Sequence, residues 1–388
     1  MTNDRDDLMK AMQSYLSVMV KNQAADLFLH TRAKPTIKGN FGYKRMGSVI
    51  EPGATEKILL GMLSEKKAEE FVDNGEVDFS YSIGKVGRFR GNAFRQRGDV
   101  SIVMRHVKAD IPSIEFLGLP DVLKELIATK HGLIVVAGAT GSGKSTTLAS
   151  MIDYRNQNIR GHIITLEDPI EYIHDHKQSL VAQREIGADT QSFETGMRSA
   201  MRESPDVILM GEIRDLNSME YAVRFANTGH LCLSTIHSNN SVSTIERLLS
   251  FYDREIVEQE AKRLSQNLRA IICQRLVPSK DGGKVAAIEI LVNTPRMIDL
   301  ISKLDYESMN AAMQQGDNYG MRTFDQSLCG LYDSNAIDEK TATEYADSKT
   351  FVQQHIRYKS QNKPGHSKNT KLVLEEKVID DSSTLVSD

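Results

Sequence analysis

The chain has 388 residues, 40% of them hydrophobic and 26% charged, with a formal net charge of −4. Such a composition suits a soluble globular protein long enough for two domains, and the negative balance excludes a general pull toward nucleic acid or acidic lipid. Three isolated cysteines, Cys232, Cys273 and Cys329, exclude a disulfide framework and a zinc ribbon.

The opening "MTNDRDDLMK" lacks the basic-then-apolar pattern of a secretory signal. No run approaches the roughly 18 apolar residues of a membrane span. A cytoplasmic location is expected, with any membrane association peripheral or through a partner. Leu8, Met12, Tyr15, Leu16 and Met19 recur at helical spacing and predict an amphipathic helix. "DLFLH" reads as a strand and "IKGN" as a turn signal. Phe79, Tyr81 and Ile83 alternate with polar residues, as on a half-buried strand. "RFRGNAF" and "VSIVMRHV" predict two more strands joined at Gly98 and Asp99. Residues 1–110 therefore read as an α+β domain with a mixed, mostly antiparallel sheet.

Pro112, Gly118 and Pro120 mark a linker, set at 111–118. Beyond it the pattern alternates short apolar strands with helices: "GLIVVAGATGSGKSTTLASMIDY", "HIITLEDP", "DVILMGE" and "HLCLSTIH". This predicts an α/β domain, residues 119–357, whose parallel sheet is covered on both faces. From about Asp253 the chain reads as mainly helical, with one strand at "VAAIEIL". Residues 358–388 are rich in Lys, Ser, Asn and Asp and read as a disordered tail, with "KLVLEEKVI" as a docking segment in the alternative.

Gly138, Gly143, Lys144 and Ser145 fit G-x-x-x-x-G-K-[ST], with Gly141 as an extra glycine and Thr140, Ser142 and Thr146 completing the loop. Glycines let backbone N–H groups turn inward around phosphate oxygens, and the following helix aims its positive end at the anion. Lys144 is expected on the β- and γ-phosphates of a nucleoside triphosphate and Ser145 on Mg²⁺.

Two acidic segments supply the remaining chemistry. "DVILMGEIRD" ends an apolar strand in Gly211 and Glu212 where many phosphate-loop enzymes carry an Asp. Glu212 suits the base that orients an attacking water. Glu167 and Asp168 end the strand of "ITLEDPIEY", which Pro169 stops, and supply the missing carboxylate for the metal. A solvated acidic turn is the alternative. His230 and His237 bracket "HLCLSTIHSNN" and suit a γ-phosphate sensor as well as a structural pair. Arg88 and Arg90 share a strand face and suit an arginine finger worth about 10³–10⁵ in rate. Arg95 and Arg97 read as a solvated face, and Arg105 lies on the next strand.

Together these elements resemble the type IV pilus retraction ATPases, the PilT/PilU type, of the secretion ATPase superfamily of P-loop motors. "GATGSGKSTT" is similar to the family's Walker A motif, "ITLEDPIEYIH" to its Asp box, "MRESPDVILMGEIRD" to its Walker B region and "TGHLCLSTIHSNN" to its His box. The resemblance spans roughly residues 5–350. It implies a PAS-like N-terminal domain, a RecA-like ATPase domain and a homo-hexamer that uses ATP and Mg²⁺. Its implied location is cytoplasmic, peripheral at the inner membrane through a pilus platform protein.

By position, the resemblance makes Glu212 the catalytic base and puts Glu167 and Asp168 at the metal. It makes His230 and His237 γ-phosphate reporters and Arg88, Arg90 and Arg105 phosphate contacts from the N-terminal domain. The family's retraction motor carries an "AIRxLIR"-like segment. Here the corresponding "MIDLISKL", Met297 to Leu304, lacks both arginines. That departure, with the polar tail, is closer to the family's accessory members, which act beside a partner retraction ATPase. Pilus assembly or type II secretion ATPases commonly carry a tetracysteine insert, and this chain has no C-x-x-C. A regulatory ATP-binding ring is a further alternative, opposed by the complete acidic set. A nucleic-acid motor would need a basic stripe with stacking aromatics, which the sequence does not show.

Overall fold

The computed structural model describes residues 2–84, 86–107 and 110–361. Helix α1 (Thr2–Lys21) opens the chain and buries Met12, Leu16 and Met19 at the predicted spacing. Strands β1 (Asp26–His30), β2 (Thr36–Gly39) and β3 (Gly42–Arg45) follow. "IKGN" spans the end of β2 and the first residue of a two-residue turn, so the expected turn is a hairpin. Helices α2 (Ala54–Met62) and α3 (Glu65–Asn74) precede β4 (Glu76–Ile83), β5 (Gly87–Gln96) and β6 (Asp99–Val107).

The six strands form one antiparallel sheet in the order β3-β2-β1-β6-β5-β4. Alternation gives this sheet two unlike faces. Leu27, Phe79, Phe89, Ala93, Ile102 and Met104 pack with the helices in one core. On the other face Asp26, Arg105, Arg90 and Ser80 lie side by side in register, with Arg88 two residues from Arg90.

Residues 110–121 join the domains without regular structure, yet Ile114 and Leu119 are buried in the core of the second domain. There the chain runs α4 (Val122–Ala128), β7 (Gly132–Ala137), α5 (Lys144–Asn158), β8 (Gly161–Glu167), β9 (Ser179–Glu185), α6 (Phe193–Ala200) and β10 (Val207–Met210). It continues as α7 (Leu216–Asn227), β11 (Leu231–Ile236), α8 (Ser241–Leu249), α9 (Val257–Asn267), β12 (Leu268–Pro278) and β13 (Lys284–Val292). Five helices close it: α10 (Pro295–Ser302), α11 (Tyr306–Gln314), α12 (Phe324–Asp333), α13 (Glu339–Glu344) and α14 (Lys349–Gln361).

The sheet order is β13-β12-β7-β11-β10-β8-β9, parallel throughout except for β13. Its central strands are apolar on both faces because both are covered. In β7, Leu133, Val135 and Ala137 enter one core, and Ile134 and Val136 enter the other with α4 and α5. The reading of the chain beyond Asp253 as mainly helical with one strand needs correction. Strand β12, eleven residues long, lies between β7 and β13. Buried on both faces, "LRAIICQRLVP" has no alternation to set it apart from a buried helix. Strand β9, at the far edge, was likewise not predicted. The tail expected from residue 358 lies outside the described residues from 362 onward, and α14 runs to Gln361. Among the described residues no helix is long and apolar enough to cross a membrane.

The helix that follows the phosphate loop is anchored at its far end by a buried arginine. Arg155 Nη1 donates to the carbonyls of Ile127, at 2.5 Å, and Thr129, at 2.8 Å, where α4 ends. Burial pushes the guanidinium below the usual arginine range, so these bonds and the α4 terminus offset a desolvation cost. Arg155→Met is expected to lower stability by about 1.5–3 kcal/mol, the contribution of hydrogen bonds to a charged group, as a shifted midpoint in urea unfolding. An unchanged midpoint would show that α5 is held by apolar packing alone.

Candidate functional site

A cleft of about 250 Å³ opens at the carboxyl ends of β7, β8, β10 and β11. Lys144, Ser145, Glu167, Asp168, Glu212 and His237 all line it. The parallel register explains why: Ala137 lies beside Ile236, and Met210 beside both Ser234 and Leu166. The next residues of each strand therefore emerge at one edge.

The loop after β7 has the shape a phosphate needs. Gly138 and Gly143 hold φ of 153° and 90°, a region that L side chains rarely adopt. A Cβ on Gly138 would lie 2.6 Å from the Gln274 carbonyl, and one on Gly143 would lie 2.7 Å from Gln274 Nε2. Gln274, on β12, is buried and accepts a 2.7 Å bond from Thr147 Oγ1. It backs the loop and was missed in the sequence because its strand was missed. Ser142 Oγ is buried with no hydrogen-bond partner, an orphaned donor inside the loop. Lys144 Nζ donates to the carbonyls of Gly138, at 2.8 Å, and Ala139, at 3.0 Å. Burial pushes its ammonium below the usual lysine range, against the pull of Glu212 and Glu171.

Four acids line the cleft with this lysine: Glu167, Asp168, Glu171 and Glu212. Desolvation pushes the Glu167 carboxyl above its usual range. Its Oε1 accepts from Thr165 Oγ1 at 2.7 Å and Gln183 Nε2 at 3.2 Å. Asp168 is exposed on the turn that Pro169 continues. Glu212 Oε2 accepts from Arg214 Nε at 2.8 Å, and Oε1 lies 3.3 Å from His237 Nε2. Thr235 Oγ1 ties the loop before it by a 2.7 Å bond to the Gly211 carbonyl.

Gly211 stands where many phosphate-loop strands carry Asp, at a position with little room for a side chain. A Cβ there would lie 3.3 Å from Phe193 and 3.4 Å from the Leu166 carbonyl. Glu167 and Asp168, at the end of β8, are carboxylates that line the same cleft as Ser145. Among the described residues no group of three or more His, Cys, Asp and Glu could hold a metal ion by itself. A hydroxyl and a carboxylate, Ser145 and Glu167, are the hard donor set with which Mg²⁺ is held beside phosphate and water. The residues present fit ATP and Mg²⁺.

Tyr172 was also missed. Its hydroxyl lies 2.9 Å from Thr146 Oγ1 and closes the segment after Asp168 over α5. The only signal was a tyrosine four residues past the acidic pair.

Of the residues expected to be catalytic, four do not line the cleft: His230, Arg88, Arg90 and Arg105. His230 precedes β11, so the six residues of that strand, about 20 Å of extended chain, separate it from His237. Its Nδ1 lies 3.0 Å from Thr228 Oγ1, and its carbonyl accepts from the Gly132 N–H at the amino end of the sheet. Parity did not matter; strand direction did. Arg88 pairs with Glu185 at 3.0 Å, Arg105 pairs with Asp26 at 2.8 Å, and Arg90 is exposed. They lie on the polar face of the N-terminal sheet, and the charge of Glu171, which lines the cleft, acts on Arg105.

The model of the Type II/IV secretion system protein family matches residues 2–285. The chain is 42% identical over 371 residues to the type IV pilus ATPase PilU of Pseudomonas aeruginosa, covering 95% of this chain and 97% of that protein. It is 38% identical over 332 residues to the type IV pilus retraction ATPase PilT of the same organism, covering 85% and 96%. A crystal structure of the pilus retraction motor PilT with bound ADP matches with a TM-score of 0.82 at 40% identity, covering 89% of this chain and 98% of that one. The phosphate loop, the acid-tipped β8 and β10 and this extent of identity place the chain in the Type II/IV secretion system protein family, among its type IV pilus ATPases.

Proposed function

We propose that this chain is an ATP-hydrolysing motor of type IV pili, a ring of six that drives pilus retraction as an accessory beside a partner retraction ATPase. One observation carries the hydrolytic reading: Lys144, Ser145, Glu167, Asp168 and Glu212 meet in a single cleft. The pilus assignment rests on relatives named PilU and PilT that match over most of both chains. The accessory role is supported by the 42% identity to PilU and by "MIDLISKL", which carries neither arginine of the retraction segment. Its expected setting is the cytoplasmic face of the inner membrane, held there by the pilus platform protein.

In this reading Lys144 leaves the carbonyls of Gly138 and Ala139 for the β- and γ-phosphates. The N–H groups from Gly138 to Thr146 ring the phosphate chain. Ser145 and Glu167 hold Mg²⁺, with Asp168 beside them; the ion neutralises charge on the phosphates when bound. Glu212 orients the attacking water and takes its proton. His237, beside Glu212, senses the γ-phosphate. His230 joins that report only through β11, from its opposite end. Arg90 and Arg105 reach phosphate by movement of the N-terminal domain toward the cleft, and Arg88 keeps one guanidinium nitrogen on Glu185, at 3.0 Å, while its remaining N–H groups turn to the phosphate.

Glu212→Gln is expected to bind ATP normally and lose turnover by about 10²–10⁴, read as steady-state hydrolysis of MgATP with particle mass measured in the same samples. Near-normal turnover would remove Glu212 from the base role. Wild-type protein that forms hexamers without turnover would point to a ring that works only with its partner. A monomer at all concentrations would sink the ring.

Lys144→Ala tests the loop itself. ATP affinity, measured by calorimetry, is expected to fall at least about tenfold because the half-buried ammonium supplies the main charge against the phosphates. Affinity equal to wild type would place the nucleotide elsewhere.

A further inference from the structure

Glu185 ends β9 and lies directly beside Glu167 in the parallel register. It is buried, does not line the cleft, and belongs to none of the sequence motifs. Its carboxylate gathers donors from three separate segments. Oε1 accepts from Ser80 Oγ of β4. Oε2 accepts from Arg88 Nη2 of β5 at 3.0 Å and from the Ile170 N–H at 3.2 Å.

Ser80 and Arg88 stand on the polar face of the N-terminal sheet. Ile170 closes the turn that carries Glu167 and Asp168. The Ile186 N–H donates to the Glu167 carbonyl at 2.9 Å, so Glu185 and Glu167 are also tied through their backbones. One buried carboxylate thus joins the N-terminal domain to the acidic turn of the cleft. Arg88 is only partly satisfied by it, since its buried Nε has no hydrogen-bond partner. A buried ion pair with one partner removed leaves an uncompensated charge, so the two domains are held in this relation while the pair is intact.

We propose that Glu185 is a positioning residue for hydrolysis: it binds Arg88 and the Asp168 turn into one unit, so that the stance of the N-terminal sheet sets the position of the cleft acids. This rests on the ATPase reading above. Glu185 touches no reacting atom; it acts through Ile170 and Arg88. Displacements near 1 Å cost about 10²-fold in rate, while phosphate binding by the Lys144 loop is untouched.

The test uses the full chain with Glu185→Gln, Arg88→Gln and the double variant. A glutamine amide cannot accept from all three donors. The expected result for each single variant is a kcat lowered at least tenfold with KM for MgATP within about threefold of wild type. The double variant should fall no further, because both changes break one unit. Losses that multiply, or a wild-type kcat in Glu185→Gln, would overturn the proposal.

A second readout needs no turnover. Spin labels on Asp73→Cys in α3 and Asn158→Cys in α5 report the interdomain distance. Glu185→Gln should shift or broaden that distribution, and an unchanged one counts against the proposal. If the wild type proved not to hydrolyse ATP, the hydrolysis reading would fall while this distance still judged the interdomain link. Should Glu185→Gln not fold, Ser80→Ala removes one donor from the N-terminal side, and its distance distribution must also move for the proposal to stand.

Discussion

The parallel register of β7, β11, β10 and β8 is the constraint on which the rest depends. Ala137 beside Ile236, and Met210 beside Ser234 and Leu166, make four strands end along one line. That register is fixed by burial. Leu133 and Val135 point into one core while Ile134 and Val136 point into the other. A slip of one residue would exchange the two sets and misplace every loop residue behind them. Apolar packing beneath the cleft, where Leu148, Ile152 and Leu209 of the core around Ile134 and Val136 line its floor, thereby decides where Lys144, Glu167, Glu212 and His237 meet.

Electrostatics sharpens this arrangement. Burial works against the charged form of Lys144 and against the charged form of Glu167. Each shift is reversed by an opposite charge: an anion at the lysine, a cation at the carboxylate. A phosphate chain carrying a divalent ion supplies both at once. Glu212 is held from two sides by neighbouring side chains: Arg214 Nε lies 2.8 Å from Oε2 and His237 Nε2 lies 3.3 Å from Oε1.

The sequence made the centre of this site legible because its signals are local. The phosphate loop, the acids at two strand ends and the glycine before Glu212 each sit within ten residues of the apolar run that positions them. What escaped was carried by distant strands. Gln274 backs the phosphate loop from β12, whose two-sided burial hid its period. Glu185 and Tyr172 owe their roles to partners on other segments. His230 and His237 look equivalent in sequence because they bound one strand, yet only His237 stands at the carboxyl end of β11, where it lines the cleft.

The same sheet joins the cleft to both ends of the chain. At the β9 edge, Glu185 connects it to the N-terminal domain. On β12, one strand in from the opposite edge, Arg275 follows Gln274 and carries the connection outward: its guanidinium stacks 3.8 Å over Phe324 of α12, pairs with Asp347 at 2.7 Å, and donates to the Asn239 carbonyl at 3.2 Å. Asn239 lies two residues past His237, so the loop beside Glu212 and the strand behind the phosphate loop share one arginine with the C-terminal helices. Adjacent residues on a strand point to opposite faces. Gln274 and Arg275 therefore reach the phosphate loop and the helices from a single point of backbone. The loop and β12 are in close contact: a Cβ on Gly143 would lie 2.7 Å from Gln274 Nε2, and one on Gly138 would lie 2.6 Å from the Gln274 carbonyl.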